Sequence, residues 1–258
     1  MLIMCRKRTV PNTSMKLLPE QIASQLSARV VHGVYEPGYR LIEAVLSKEF
    51  GVSHGPIRDA LRILQNSGLV TIHSYRGAHV TELSVREVRD LYQVRAALVS
   101  TRAKGIAEDP ERQSILQHVE VPIARLTALA ADSSKAEAFV METFSINNLL
   151  TDSLPNRWLR STIQAITLQT SRYSRLALLA DARRRLESAH LWRMLFDAMI
   201  SGESDLAEKI ATTLSLTARD AAIKYLELHA TPASKPESRA PTSKRRRLAK
   251  QVPQHQAQ

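Results

Sequence analysis

Segments of helix length dominate the chain after Ser84, and this pattern constrains the fold most. Apolar residues recur every three or four positions within each segment, which predicts amphipathic α-helices. Proline and glycine, which end helices, fall mainly in the gaps between the segments, at Pro110, Pro155 and Gly202. A capping-box pattern, Ser84 with Glu87, marks the first helix start. We therefore expect an all-helical domain over 82–231, with helices at about 85–107, 112–131, 135–152, 156–180, 183–201 and 204–228.

The preceding part of the chain has shorter segments and a different order. Helical periodicity predicts three short helices, and alternating apolar residues then predict two short strands around a turn at residues 74–77. Three helices followed by a β-hairpin are typical of a winged helix-turn-helix. The fold class is thus mostly α, with a winged helix over 17–81 before the helical bundle. The expected elements are helices at 17–32, 43–50 and 54–67, and strands at 69–73 and 78–81.

The third of these helices has one apolar and one polar face. Ile57, Ala60, Leu61 and Leu64 share the apolar face, and arginines and amides share the other. An exposed arginine fork suits guanine in the major groove, and a glutamine suits adenine. We expect Ser53 to cap this helix, whose first N–H groups would face a DNA phosphate.

Most of the excess positive charge lies in the two terminal segments of the chain. The chain has a formal net charge of +11, but residues 1–16 hold four basic groups and no acid, and residues 232–258 hold seven basic groups and one acid. The body, 17–231, is nearly neutral, so DNA binding would depend on a few placed residues. We expect a loose basic arm at 1–16 and a disordered tail at 232–258. The run Lys244–Arg247 would either add sequence-independent phosphate contacts or only solvate the tail.

Other features exclude several classes of protein. Cys5 is the single cysteine, which excludes an internal disulfide framework and cysteine zinc fingers. No apolar run approaches the roughly 18 residues of a membrane span, and the start does not resemble a signal peptide. No nucleophile–base pair, metal cluster or phosphate loop is visible, so the sequence does not suggest an enzyme. We expect a cytoplasmic protein.

The N-terminal motifs resemble the GntR family of bacterial transcription regulators. The resemblance covers the whole winged unit and rests on Gly33, Pro37-Gly38, Phe50-Gly51-Val52-Ser53, Pro56-Ile57-Arg58, Gly68-Leu69-Val70 and Arg76-Gly77. It implies an operator-binding set: Arg40, Ser53, His54, Gly55, Arg58, Arg62, Arg76 and Gly77. The family usually has Ser-Arg-Thr-Pro-Val-Arg at the start of the third helix, where this chain has His54 and Gly55 in place of the Arg and the Thr. The base preference of the family is therefore in question at the operator position that the family's arginine contacts and that His54 would face here.

The second part resembles, more loosely, the FadR-type or FCD effector domain over about 83–228. That resemblance implies a metal held by one Asp and three His. Aligning this chain on that pattern places Met141, Ser145, Trp192 and Leu214 at the ligand positions, so we expect no metal cofactor. The effector candidates are Arg95, Ser145, Asn148, Arg172, Tyr173 and Trp192.

Three alternatives remain for the cavity that a metal would leave. In the first, core side chains fill the space. In the second, an apolar or amphipathic effector binds in a cavity made apolar by Met141, Trp192, Met194, Phe196 and Leu214. In the third, Arg95 binds a carboxylate in a bidentate manner. Arg95 could equally form a structural ion pair with Asp90 or Glu142.

The interpretation is a homodimeric bacterial transcriptional regulator, either a repressor or an activator, that binds a pseudo-palindromic double-stranded DNA operator and responds to a small molecule. The alternative is a constitutive DNA-binding regulator with a ligand-free C-terminal domain.

Overall fold

The computed structural model describes residues 18–229. Its N-terminal part contains the three expected short helices: α1 Pro19–Val31, α2 Glu43–Phe50 and α3 His54–Asn66. Gly51 ends α2 in the left-handed conformation, at φ 65°, which glycine adopts without the steric cost of a side chain. The predicted basic arm, 1–16, and tail, 232–258, lie outside the described residues.

A three-stranded antiparallel sheet completes this part, one strand more than the predicted hairpin. The strands are β1 Arg40–Leu41, β2 Val70–His73 and β3 Gly77–Val80, in the spatial order β1-β3-β2. The unpredicted β1 pairs Arg40 with His79 and Leu41 with Ala78. A strand of two residues has too few positions to show alternation, so no periodic pattern could predict it.

One apolar core holds the winged helix together. Ile22, Leu26, Ile57 and Leu61 are 0–2% exposed and belong to the same cluster. The apolar face of α3 that the sequence predicted is therefore buried against α1. Leu168, from the helical part of the chain, also packs on this cluster.

The remaining described chain is helical, as predicted: α4 Val85–Glu108, α5 Arg112–Ala131, α6 Ala136–Asp152, α7 Arg157–Ala180, α8 Ala182–Ser201 and α9 Ser204–His229. A single turn of 3-10 helix, Ser133–Lys135, precedes α6. Buried side chains such as Leu116, Phe139 and Ile146 form the main core. The predicted capping box is confirmed, since the Glu87 amide donates to the Ser84 hydroxyl, and the Ser84 amide and hydroxyl donate to the Glu87 carboxylate.

Helix α7 contacts the winged helix directly. Arg172 Nη2 donates to the Thr81 carbonyl at 2.8 Å, and the Leu83 amide donates to the Tyr173 hydroxyl at 3.0 Å. The described chain up to Leu228 forms one compact unit by its contacts, so the boundary proposed at 81/82 stays a prediction. Within residues 18–229, no helix has the length and apolar character that a membrane crossing requires.

Candidate functional site

The polar face of α3 is open to solvent, with Arg58, Arg62 and Gln65 exposed. The side chain of Arg58 is 62% exposed and that of Arg62 is 72% exposed, while the opposite face of the helix is buried. Arg62 lies 3.6 Å from the Asp59 carboxylate, one turn earlier on the same helix. Exposed pairs of this kind contribute little energy and exchange readily for another acceptor. The helix thus presents two arginine forks on a rigid, well-packed support.

An acidic residue on α2 holds Arg58 in place. The Arg58 Nε donates to the Glu43 carboxylate at 2.7 Å, and His54 Nδ1 lies 4.0 Å from the same oxygen. Arg58 therefore takes part in an ion pair on a solvated face of the protein. This pair leaves the other guanidinium nitrogens available, because it engages only Nε.

The start of α3 differs in one respect from the prediction. Ser53 occupies the N-cap position with extended backbone, but its side chain forms no capping hydrogen bond. A Cβ built on Gly55 would meet nothing within 4 Å, so the first turn of α3 is open to an approaching molecule. An uncapped helix N-terminus attracts anions through its free N–H groups and its dipole.

The wing brings the remaining predicted residues together. Arg76 and Gly77 lie where the turn enters β3, and both are exposed. A Cβ on Gly77 would lie 3.8 Å from Arg40 Nε, so the Arg40 side chain on β1 reaches the same end of the sheet. Sequence reasoning missed Tyr75, whose fully exposed side chain sits in this turn on left-handed backbone, at φ 66°.

A cavity of about 60 Å³ lies inside the helical bundle. Its walls come from α4, α6, α7, α8 and α9. Apolar side chains such as Val99, Phe144 and Leu195 form part of the wall, and Ser171, Ser174, Ser188 and Ser215 supply hydroxyls. Side chains do not fill this part of the bundle, which differs from the alternative of a filled core.

Three arginines line the same cavity. Arg95 is half-buried, while Arg102 and Arg184 are 2% and 6% exposed. Arg102 Nη1 donates to the Asn147 carbonyl and side-chain oxygens at 3.0 Å and to the Thr151 hydroxyl at 2.6 Å. Sequence reasoning singled out Arg95 but missed Arg102 and Arg184, because nothing in the helical pattern distinguishes an inward-facing arginine from one on the surface.

Burial and mutual repulsion make these charges costly. Burial lowers the pKa of Arg102 to about 9, with a further lowering by the positive charge of Arg95. Burial also lowers the pKa values of Arg95 and Arg184. Arginine keeps its proton in folded proteins, so the three positive charges stand in surroundings that disfavour them.

The predicted effector residues are not all at the cavity. Arg95 and Trp192 line it, and their role as effector contacts stays a prediction. Arg172 and Tyr173 instead face Thr81 and Leu83 at the winged helix. Ser145 and Asn148 are exposed and are not among the side chains that line the cavity.

The predicted register of α6 is also wrong. Met141 and Ser145 are exposed and do not line the cavity, whereas Thr143 and Asn147, two residues on, do. A shift of two residues turns a helical side chain by about 200°, to the opposite face. Met194 is also exposed, at 39%, so the cavity is less apolar than the sequence suggested. Trp192 and Leu214 do line it.

The ion pairs predicted as an alternative for Arg95 are absent from the described residues. Asp90 lies near Arg86, and Glu142 lies near Arg125, each at 3.9 Å. Arg95 Nη1 instead donates to the Ser215 hydroxyl at 3.2 Å.

The cavity does not suit a transition-metal ion. The side chains lining it are guanidinium, hydroxyl, amide and apolar groups, and none of them is an imidazole, a thiol or a carboxylate. Over residues 18–229, no group of three or more His, Cys, Asp or Glu side chains is placed to hold a metal. Three cationic side chains would also repel a divalent ion.

Two family models match the chain, in the order that the fold shows. The model described as "Bacterial regulatory proteins, gntR family" matches residues 18–80, and the FCD domain model matches residues 90–215.

Curated relatives carry names that agree with these models. The chain is 27% identical to the HTH-type transcriptional regulator BphR of Paraburkholderia xenovorans over 70% of this chain and 76% of that one. It is 25% identical to YdhC of Bacillus subtilis, an HTH-type transcriptional regulator, over 57% of this chain and 65% of that one, just under two thirds. A gluconate operon transcriptional repressor of Bacillus licheniformis is 36% identical, over 30% of this chain and 32% of that one.

Solved structures share the fold. Escherichia coli McbR/YncC superposes with a TM-score of 0.67 at 16% identity, covering 83% of this chain and all of that one. A GntR transcriptional regulator from Rhodococcus sp. RHA1 gives a TM-score of 0.62 at 19% identity, covering 81% and 97%.

Proposed function

The chain belongs to the GntR family of bacterial transcriptional regulators, with a helix-turn-helix domain and an FCD domain, and on that premise we propose that it works as a dimer on a pseudo-palindromic operator. The observation that carries the proposal is the face of α3 with Arg58 and Arg62, exposed beside an open helix N-terminus. Such a helix fits the major groove, where the arginines read bases and the N–H groups bind phosphate.

The small net charge of the winged unit supports the proposal that the protein binds DNA as a dimer. The winged unit, 17–81, holds six basic and five acidic groups, so one copy has little general attraction for DNA. Affinity then depends on placed contacts, and a two-fold symmetric dimer doubles them on one operator. His54, Arg40, Arg76 and Gly77 supply the further contacts at the start of α3 and at the wing.

Helix α7 provides a physical route from the cavity to the DNA-binding part. Its residues Thr170, Ser171 and Ser174 line the cavity, and its Arg172 and Tyr173 bond to the segment just after the wing. A small molecule that favours one position of α7 changes operator affinity, and operator DNA changes the affinity for that molecule by the same factor. The protein is then a metabolite-responsive repressor of the bacterial cytoplasm, without catalytic activity and without a resident metal.

Selection of bound sequences from a random DNA pool tests this proposal. Wild-type protein is expected to enrich two half-sites related by two-fold symmetry, with centres about 10 base pairs or a multiple of that apart. Enrichment of no common sequence, or of one unrepeated half-site, contradicts a dimer on a two-fold symmetric operator.

A further inference from the structure

We propose that the cavity binds a small organic dianion, such as a short dicarboxylate, directly through Arg95, Arg102 and Arg184 and without a metal ion. The proposal deepens the proposed function, because it names the chemistry of the effector at the cavity of the FCD domain. It rests on three observations: unsatisfied guanidinium nitrogens, the absence of acidic partners among the described residues, and a cavity between the groups.

The unsatisfied nitrogens are the first observation. Four buried nitrogens have no hydrogen-bond partner among residues 18–229: Nε of Arg95, Arg102 and Arg184, and Nη1 of Arg184. Buried polar groups in folded proteins nearly always have a partner, and an unpaired buried charge is especially costly. Four such donors on side chains that line one cavity favour a ligand that brings the acceptors.

The second observation is that no carboxylate neutralises these charges within the described chain. Arg95, Arg102 and Arg184 each lack an ion pair within 4 Å over residues 18–229, although nearby arginines on the same helices have one. The acids that influence Arg184 electrostatically are Glu187, Asp181 and Asp220, and none of them reaches ion-pair distance of it. The surroundings therefore hold an excess of positive charge.

The third observation is the shape and polarity of the space. A cavity of about 60 Å³ suits a compact molecule, and its serine hydroxyls can accept or donate further hydrogen bonds. Arginine forks bind carboxylates in a bidentate manner, and a dianion can engage two forks at once. Apolar wall residues such as Val99 and Leu195 suit the short carbon chain between two carboxylates.

The test is thermal unfolding of the full chain in a metal chelator, with malonate or succinate as the probe and sodium chloride at matched ionic strength. We expect the dicarboxylates to raise the Tm, acetate to raise it much less, and neutral succinamide to leave it unchanged. Inorganic phosphate is tested in the same way, because the response of the Tm to it distinguishes a phosphate-bearing ligand from a carboxylate. A shift that appears only when a divalent metal is added back overturns the proposal.

Arg184→Gln is the decisive variant, and Arg183→Gln, its exposed neighbour on α8, is the matched control. We expect Arg184→Gln to weaken dicarboxylate binding roughly tenfold or more while leaving the Tm without ligand unchanged or higher, because it removes an unpaired buried charge. Arg183→Gln should behave as wild type. A lower Tm without ligand together with an unchanged ligand shift would mean that Arg184 is only structural.

A separate readout keeps this proposal distinct from the proposed function. Binding of the wild-type chain to the selected DNA is measured without any added acid. Specific DNA binding without a dicarboxylate-induced Tm shift contradicts only the anion site. A dicarboxylate-induced shift without specific DNA binding contradicts the proposed function and leaves the anion site standing.

Discussion

Arg58 shows how a single contact determines the orientation of a side chain that we propose reads DNA. Its Nε is bound to Glu43, so the guanidinium is held at one edge while the rest of the fork faces solvent. A long side chain that is oriented in advance loses less conformational entropy when it binds a base. Glu43 thus acts through Arg58, as a positioning residue.

We predict that Glu43→Gln lowers the ratio of specific to non-specific DNA affinity, by roughly tenfold. The loss of a negative charge beside DNA strengthens non-specific binding, and the loss of the ion pair releases Arg58 from its fixed position. Competition binding with operator and random DNA measures the ratio. Glu49→Gln, also on α2 but paired with Arg29, controls for the change in net charge; an equal fall in both variants would contradict a positioning role for Glu43.

The sequence predicted only some of the residues that line the cavity. Arg95 could be singled out because it lies within a motif, but Arg102 and Arg184 could not. Arginine usually lies at the surface, and only the packing of five helices shows that these two face inward. A register error of two residues on α6 likewise replaced Thr143 and Asn147 by Met141 and Ser145.

At the scale of elements, the helix boundaries followed closely from local signals. Gly51 ends α2, Gly202 ends α8, and Ser84 caps α4, as glycine and serine do at such positions through their own local chemistry. The strand β1 was missed, because it exists only through its pairing with β3 and has no periodic pattern of its own. Elements that depend on local chemistry can be predicted from the sequence, whereas elements that depend on tertiary pairing cannot.

The capping box of α4 provides a stability test. We predict that Ser84→Ala lowers the free energy of unfolding by about 1 kcal/mol, because the Glu87 amide loses its acceptor. Chemical denaturation at neutral pH measures this. Ser161→Ala, which removes an exposed hydroxyl bonded to its own helix, should change little.

The same box predicts a pH dependence. Hydrogen bonds from the Ser84 hydroxyl and amide lower the pKa of Glu87 below its usual range. A carboxylate with a lowered pKa stabilises the fold above its unfolded-state pKa and loses that contribution as the pH falls through its folded-state pKa. The difference between wild type and Ser84→Ala should therefore shrink in acid, and a difference that grows there would contradict the assignment.

At the scale of the whole molecule, most of the net charge of +11 lies outside the body of the protein. We propose that the nearly neutral body reads sequence through two exposed arginines on α3, whereas the two terminal segments supply most of the net positive charge. We therefore expect specific and general affinity for DNA to come from different parts of the chain. The salt dependence of DNA binding separates the specific from the general contribution, because its slope reports how many counterions are released when phosphates are bound.

We predict that deletion of residues 232–258 weakens non-specific DNA binding and reduces the slope of log affinity against log salt concentration. Removal of one phosphate-binding side chain changes that slope by about 0.9. The order of preference among operator sequences should stay the same, because α3 is intact. An unchanged slope would show that the basic tail does not bind DNA.

The affinity of Arg58→Ala for the selected operator tests the central claim most directly. Arg58 is exposed and contributes nothing to the core, so the variant should keep the wild-type Tm. Loss of one arginine–base pairing costs about 1–3 kcal/mol, and a dimer loses two, so specific binding should disappear while weak non-specific binding remains. Arg86→Ala, which changes an exposed arginine on α4, should bind as wild type. Operator affinity retained by Arg58→Ala would contradict the claim that α3 reads the DNA through this residue.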